Sequence, residues 1–146
     1  MKPETEALAG FLSSIDFSHF CTFTTRKPVS MAATRRIAEN VAQWCGAGDY
    51  TTMFWAAEKF DVREGYHFHA LLKSPLHPIE IFNWYYPRYG RCQIIHNNDP
   101  DRRHSASYYC SKYITKALAD YDIYFAQDIK DRFAARIRDR SQLRLM

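Results

Sequence analysis

Apolar residues follow one another in short β-branched and aromatic runs in some parts of the chain and recur every three or four positions in others. The first pattern is typical of strands, and the second is typical of helices, as with Ile37, Val41 and Trp44. Ser30 is a suitable N-cap for that helix, and Gly46 and Gly48 are suitable for its end. Strands are predicted at residues 20–25, 51–60, 66–73 and 91–96. Further helices are predicted at residues 5–14, 79–85, 105–119 and 128–140.

The order of these elements predicts an α+β fold with a central antiparallel sheet and helices packed on it. The runs at 51–60 and 66–73 are joined by a short polar loop, which favours a β-hairpin. No repeat, low-complexity stretch or linker interrupts the pattern. We therefore expect a single domain over residues 1–146.

Length and composition exclude several classes of protein. With 146 residues, of which 47% are apolar and 25% charged, the chain has the composition of a globular domain rather than a disordered one. No apolar run approaches the roughly 20 residues that a membrane helix needs, so we expect no membrane association. The first residues are acidic and are unlike a signal peptide. No phosphate-binding loop of the form G-x-x-x-x-G-K-[ST] occurs, so we expect no NTPase or helicase activity.

The cysteines favour a cytoplasmic location, because they form no C-x-x-C pair and are expected to be reduced and buried. They are Cys21, Cys45, Cys92 and Cys110.

The basic residues concentrate near the end of the sequence. The net charge is +4, and the residues from 130 onward carry six basic and two acidic side chains. Among them, Arg132, Arg136 and Arg140 recur at every fourth position and are candidate DNA-binding residues. A solvated helix face has the same spacing, so the pattern alone leaves both interpretations open.

Two histidines in the third predicted strand are candidate metal ligands. His67 and His69 alternate with apolar residues, so their side chains share one face of the strand. A divalent cation held by two neutral imidazoles also needs a carboxylate. Glu58 provides one if the hairpin pairs residues whose numbers sum to 125–127. This ligand set, with positions left open for water or phosphate, predicts Mn²⁺ or Mg²⁺.

The alternative for these residues is a pair of surface histidines with Glu58 as their salt-bridge partner. The remaining histidines have no such neighbour in the sequence and are expected to be ordinary surface residues. They are His19, His77, His96 and His104.

The predicted helix at 105–119 carries candidate nucleophiles. Tyr109, Lys112, Tyr113 and Lys116 fall at i, i+3, i+4 and i+7 and so lie on one side of a helix. A neighbouring cation favours the phenolate of a tyrosine, and lysine offsets charge on a phosphate. This pattern suits attack on a phosphodiester. An aromatic packing helix with solvated lysines is the alternative.

Together, three motifs resemble those of the HUH superfamily of single-strand endonucleases, and especially the rolling-circle replication initiators. They are the strand ending in Phe23-Thr24-Thr25, the segment His67-Phe68-His69, and the doubled Tyr-x-x-Lys of residues 109–116. The resemblance covers roughly residues 20–116.

The resemblance implies a metal-dependent nickase and strand transferase. Glu58, His67 and His69 would hold the metal, Tyr109 or Tyr113 would form a 5′-phosphotyrosine link, and Lys112 and Lys116 would assist. The partner would be single-stranded DNA, such as an origin hairpin. Because no helicase domain is present, a host helicase would separate the strands unless the substrate is already single.

Two other functions remain open from the sequence. A single-strand transposase of the same superfamily shares the histidine pair and acts as a homodimer. A non-catalytic domain that binds single-stranded nucleic acid would also use many aromatic and basic residues, but it would leave Glu58, His67 and His69 without a role.

Overall fold

The computed structural model describes residues 3–47, 51–96 and 120–125. The helices in these ranges are α1 (Pro3–Ser13), α2 (Met31–Gly46) and α3 (Pro78–Arg88). The strands are β1 (His19–Phe23), β2 (Thr52–Lys59), β3 (Tyr66–Lys73), β4 (Cys92–His96) and β5 (Tyr121–Phe125). The expected α+β class is confirmed.

The strands form one sheet in the order β4-β1-β3-β2-β5, and every neighbouring pair is antiparallel. The predicted β2–β3 hairpin is confirmed, with Glu58 opposite His67 and Ala56 opposite His69. Gly65 closes the loop of this hairpin with a φ of +96°, and a Cβ there would lie 2.9 Å from the backbone nitrogen of Val29. Only glycine therefore fits this turn without moving the neighbouring loop.

One face of the sheet, here called the α2/α3 face, is covered by those two helices. The Ser30 side chain accepts a hydrogen bond from the Ala33 backbone and caps α2, as its sequence predicts. The alternate residues of each central strand point into this layer. Its fully buried aromatic side chains are Phe23, Trp55, Phe68 and Tyr85.

The opposite face, here called the α1 face, is covered only in part. Leu12 of α1 and Phe17 of the loop that follows pack on Phe54, Ala56 and Leu71. Because side chains alternate along a strand, Glu58, His67 and His69 stand on the same face as this cluster. The hydrophobic contacts of α1 therefore lie next to the candidate metal ligands.

Several sequence predictions need correction. Strand β5 was not predicted. The predicted strand at 20–25 is shifted, because β1 ends at Phe23 and the Thr25 hydroxyl donates to the Lys27 carbonyl in a turn. His19 is not a surface residue, since its side chain lies in the core with 1% exposure.

Other predictions are confirmed or stay untested. Cys21 and Cys45 are buried free thiols as expected, whereas Cys92 is only half-buried. Cys110 and the predicted helices at 105–119 and 128–140 lie outside the described residues. In the part of the chain that the structure describes, no helix is long and apolar enough to cross a membrane.

Candidate metal centre

Three side chains converge near one end of the β2–β3 hairpin. The Oε2 atom of Glu58 lies 3.2 Å from Nε2 of His67 and 3.0 Å from Nε2 of His69. These ligand atoms all lie within 4.8 Å of one another, close enough to bind a single ion. Among the described residues, no other group of three such side chains meets this condition.

Strand register produces this convergence. His67 and Glu58 are directly opposite, and His69 is two residues further along the same face. Antiparallel partners and their diagonal neighbours are within reach of long side chains. The geometry requires an in-register hairpin, because a shift of one residue would send Glu58 to the α2/α3 face.

The ring of His69 is oriented by strand β1. Thr22 stands opposite His69, and its Oγ1 lies 3.2 Å from Nδ1 of that ring. Phe20 lies nearly parallel to the same ring at 6.3 Å. With Nδ1 bonded to Thr22, the other nitrogen, Nε2, is the atom directed at Glu58 and at a bound ion.

Burial keeps both imidazoles neutral. It lowers the pKa of His69, and the hydrogen bond to Glu58 opposes that shift only in part. Burial also lowers the pKa of His67, with further contributions from His69 and from Arg63, while Glu58 opposes them. A neutral imidazole can bind a metal ion without first losing a proton. The site is therefore ready to bind a cation at neutral pH.

The site is also accessible. The three side chains keep between 10% and 21% of their surface exposed. Three protein ligands leave about three positions free on a six-coordinate ion. Two imidazoles and one carboxylate fit Mn²⁺ and other first-row divalent ions and do not by themselves distinguish among them. Water or a phosphate oxygen can occupy the free positions.

The other predicted site residues cannot be located relative to the metal ligands. Tyr109, Lys112, Tyr113, Lys116 and the three arginines of residues 132–140 lie outside the described residues. Asp120 lies beside the sheet, where its carbonyl accepts a hydrogen bond of 2.8 Å from the Ala57 backbone. This contact places Asp120 next to the strand position that precedes Glu58.

Sequence reasoning missed the surroundings of the ligands. Phe60 lies over His67 with their ring centres 4.3 Å apart, and the guanidinium of Arg63 lies 4.1 Å from the centre of the Phe60 ring. The hairpin loop could have suggested these contacts, because both residues fall within it. The role of Thr22 depends on the β1–β3 register, which nothing in the local sequence specifies.

Comparisons with known proteins identify no relative: no family model, curated protein or solved structure matches this chain.

Proposed function

We propose that this chain is a metal-dependent endonuclease that nicks and rejoins single-stranded DNA, as rolling-circle replication initiators do. The observation that carries the proposal is the convergence of Glu58, His67 and His69 on an accessible face of the sheet. The sequence adds the Tyr-x-x-Lys pair of residues 109–116, which supplies candidate nucleophiles and cations.

The ligands have separate tasks in this proposal. Glu58 supplies the negative charge that two neutral imidazoles lack, and Thr22 fixes which nitrogen of His69 faces the ion. Mn²⁺ or Mg²⁺ bound here would polarise and position the scissile phosphate. The partly exposed side chains leave room for the phosphate to approach from solvent.

The proposed reaction is a transesterification. The phenolate oxygen of Tyr109 or Tyr113 attacks the phosphorus, and the bond from phosphorus to the 3′ oxygen breaks. The 3′ oxygen takes a proton and leaves as a free hydroxyl, while the 5′ phosphate stays on the tyrosine. The link preserves a phosphodiester, so a 3′-OH can reverse the step and join strands. We expect Tyr109 to attack first, with Tyr113 able to act in turn.

The decisive experiment is mass spectrometry of the covalent adduct. The protein is incubated with a randomised pool of single-stranded stem-loop oligonucleotides and Mn²⁺, with and without EDTA. We expect a tyrosine–DNA adduct that EDTA abolishes and that the Tyr109→Phe variant does not form. If Tyr113→Phe is the only variant that forms no adduct, Tyr113 is the nucleophile. Full adduct yield in the variant that carries both substitutions would overturn the covalent mechanism. Tyr108→Phe is the matched control and should keep full adduct yield.

The ligand assignment has its own test. His67→Ala should abolish nicking and leave the circular dichroism spectrum unchanged, because His67 stands outside the packed core. His96→Ala, an exposed histidine on β4, is the control and should keep full activity. Normal nicking by His67→Ala would contradict the assignment.

The substrate should be single-stranded or extruded from a hairpin. Phosphate contacts should make binding fall steeply with salt. Efficient cleavage of relaxed duplex would contradict this. Joined products with transposon ends would favour a transposase, and binding without any adduct would favour a non-catalytic domain.

A further inference from the structure

A row of aromatic rings and arginines begins at the metal centre. Phe60 covers the ring of His67, and the guanidinium of Arg63 lies over Phe60. Nη2 of Arg63 donates a hydrogen bond of 3.0 Å to the carbonyl of Thr25. The hairpin loop is thereby joined to the loop that follows β1.

The row continues from that loop onto helix α3. The guanidinium of Arg26 lies 5.0 Å from the centre of the Tyr86 ring and donates to the Tyr86 carbonyl. Tyr86 in turn stacks on Phe82, with ring centres 5.2 Å apart and planes 18° from parallel. We call these residues the aromatic–arginine band. They are Phe60, Arg63, Arg26, Tyr86 and Phe82.

The backbone beneath the band is fixed in place. The Arg26 nitrogen donates to the Tyr89 carbonyl, and the Thr24 nitrogen donates to the Arg91 carbonyl. Gly90 has a φ of +145°, and a Cβ there would lie 2.8 Å from the Arg26 nitrogen. Only glycine allows this close approach of the two loops. The loop after β1 and the end of α3, which carry half of the band, are therefore held together through their backbones.

The outer half of the band is exposed and apolar. Phe82 is 39% exposed and Tyr86 45% exposed, so a substantial part of each side chain is open to solvent. Their rings lie on a flank of α3, about 100° around the helix from the buried Ile81 and Tyr85. Stacked, exposed rings of this kind offer flat surfaces for a planar ligand.

The charge around the band is positive. Residues 24–29, 60–65 and 89–91 contain four basic and two acidic side chains. The basic residues are Arg26, Lys27, Arg63 and Arg91, and the acidic ones are Asp61 and Glu64. Arg88 turns to the other side of α3, where its guanidinium lies over Trp84.

We infer that the aromatic–arginine band binds the single-stranded DNA that flanks the scissile phosphate. This inference rests on the proposed function. Proteins that bind single strands combine aromatic rings, on which bases stack, with cations that follow the backbone. The band has both, and one end touches a metal ligand. A strand held at the metal could therefore continue along the band.

A second copy of this chain is the rival occupant of the exposed rings. The charge argues against it, because two such surfaces would bring like-charged arginines together, which disfavours association. A polyanion is the complementary partner.

The test measures binding of fluorescein-labelled (dT)20 by anisotropy in EDTA, where no cleavage occurs. Phe82→Leu and Tyr86→Leu should each weaken binding about tenfold, since they remove a stacking ring but keep an apolar side chain. Arg63→Gln should reduce the slope of log K against log salt by about 0.7. The matched controls are Phe11→Leu, a similarly exposed ring on α1, and Arg88→Gln, an arginine stacked outside the band.

Unchanged affinity in the Tyr86→Leu variant, or equal losses in the controls, would overturn the inference. So would a dimer of the wild type, seen by light scattering, that Tyr86→Leu converts to a monomer with no change in (dT)20 affinity. Failure of the proposed function is distinguishable. If the band variants lose (dT)20 binding but the wild type forms no adduct in Mn²⁺, the band stands and the nuclease does not. If the wild type forms adducts in Mn²⁺ while the band variants bind (dT)20 normally, the nuclease stands and the band does not.

Discussion

At the scale of single residues, Thr22 has the clearest effect on chemistry without being a metal ligand. Its hydroxyl is the hydrogen-bond partner of His69 Nδ1. Nδ1 of His67 is also buried, but it has no hydrogen-bond partner among the described residues. A group that hydrogen-bonds to a metal ligand, as Thr22 does, orients that ligand and adjusts its basicity. The two histidines are thus held differently, and His69 is the better oriented of the pair.

Replacing Thr22 with valine should weaken Mn²⁺ binding about 10- to 100-fold, because the ring of His69 loses the bond that fixes its orientation. Thr22→Ser keeps the hydroxyl and is the matched control. Electron paramagnetic resonance of free Mn²⁺ measures both affinities. Equal affinity of the valine and serine variants would show that Thr22 does not orient the ligand.

His19 makes stability depend on pH. Burial, with a smaller contribution from His96, lowers its pKa to about 4. The unfolded chain therefore takes up a proton near pH 6.5 that the folded protein does not bind until pH 4. Stability from this residue is complete above pH 6.5 and decreases as the pH falls through that window.

We expect the free energy of unfolding to fall by roughly 2–3 kcal/mol between pH 7 and pH 4.5. The His19→Leu variant should show a flatter dependence in urea titrations at several pH values, because it has no proton to take up there. The His96→Gln variant should flatten the dependence only slightly, because His96 makes the smaller contribution to the lowered pKa of His19. His67 and His69 add to the slope in the same direction, since their pKa values are also lowered. If the free energy of unfolding of His19→Leu depends on pH as steeply as that of the wild type, the effect comes from His67 and His69.

At the scale of elements, Arg35 of α2 joins that helix to the start of strand β5, which also pairs with β2. Nε and Nη2 of Arg35 donate to the two carboxylate oxygens of Asp120 at 2.6 and 2.7 Å, and Nη1 lies 3.0 Å from Asp122. The guanidinium also lies over the Trp55 ring. The hydrogen bonds from Arg35 lower the pKa of Asp120. This cluster fixes the point at which the chain rejoins the sheet beside Glu58.

Arg35→Gln should lower the free energy of unfolding by about 1 kcal/mol, since the pair is partly exposed and screened by solvent. The loss should be local. Amide hydrogen exchange should accelerate in β5 and stay unchanged in β1 and β3. Arg36→Gln, the exposed neighbour on α2, is the control. Uniform acceleration across the sheet would contradict a local role.

The elements also show which features can be predicted from the sequence. The hairpin register and the shared face of the three ligands follow from side-chain alternation and a short loop, which are local properties. Strand β5 was missed, and it exposes Tyr121 and Phe125 at the sheet edge. Its pairing with β2 joins positions about 70 residues apart, so tertiary contacts rather than local spacing make it a strand. The burial of His19 also depends on packing against distant residues.

At the scale of the whole molecule, the core does not depend on a metal ion. Both faces of the sheet are packed, with one cluster under α2 and α3 and another under α1. A chain of 146 residues buries enough apolar surface to fold without a metal. This situation differs from that of zinc fingers, which are unfolded without their ion.

We therefore expect the protein in EDTA to keep its circular dichroism spectrum and a cooperative thermal transition. Mn²⁺ at 100 times its dissociation constant should stabilise the fold by about 2.7 kcal/mol, because it binds only the folded state. Differential scanning calorimetry measures this shift, and His69→Ala should abolish it. Unfolding by EDTA alone would mean that the ion is a structural requirement.

All three ligands come from one hairpin, between Glu58 and His69. Local pairs close at small entropic cost, so this hairpin is the part of the sheet whose strands can meet earliest during folding. All three ligands are therefore synthesised before β5, within a stretch of the chain whose pairing is local. For the same reason, the segment Thr52–Lys73 carries all three ligands, so a transplant of the centre into another antiparallel sheet needs this hairpin and a neighbouring strand with a hydroxyl in the place of Thr22.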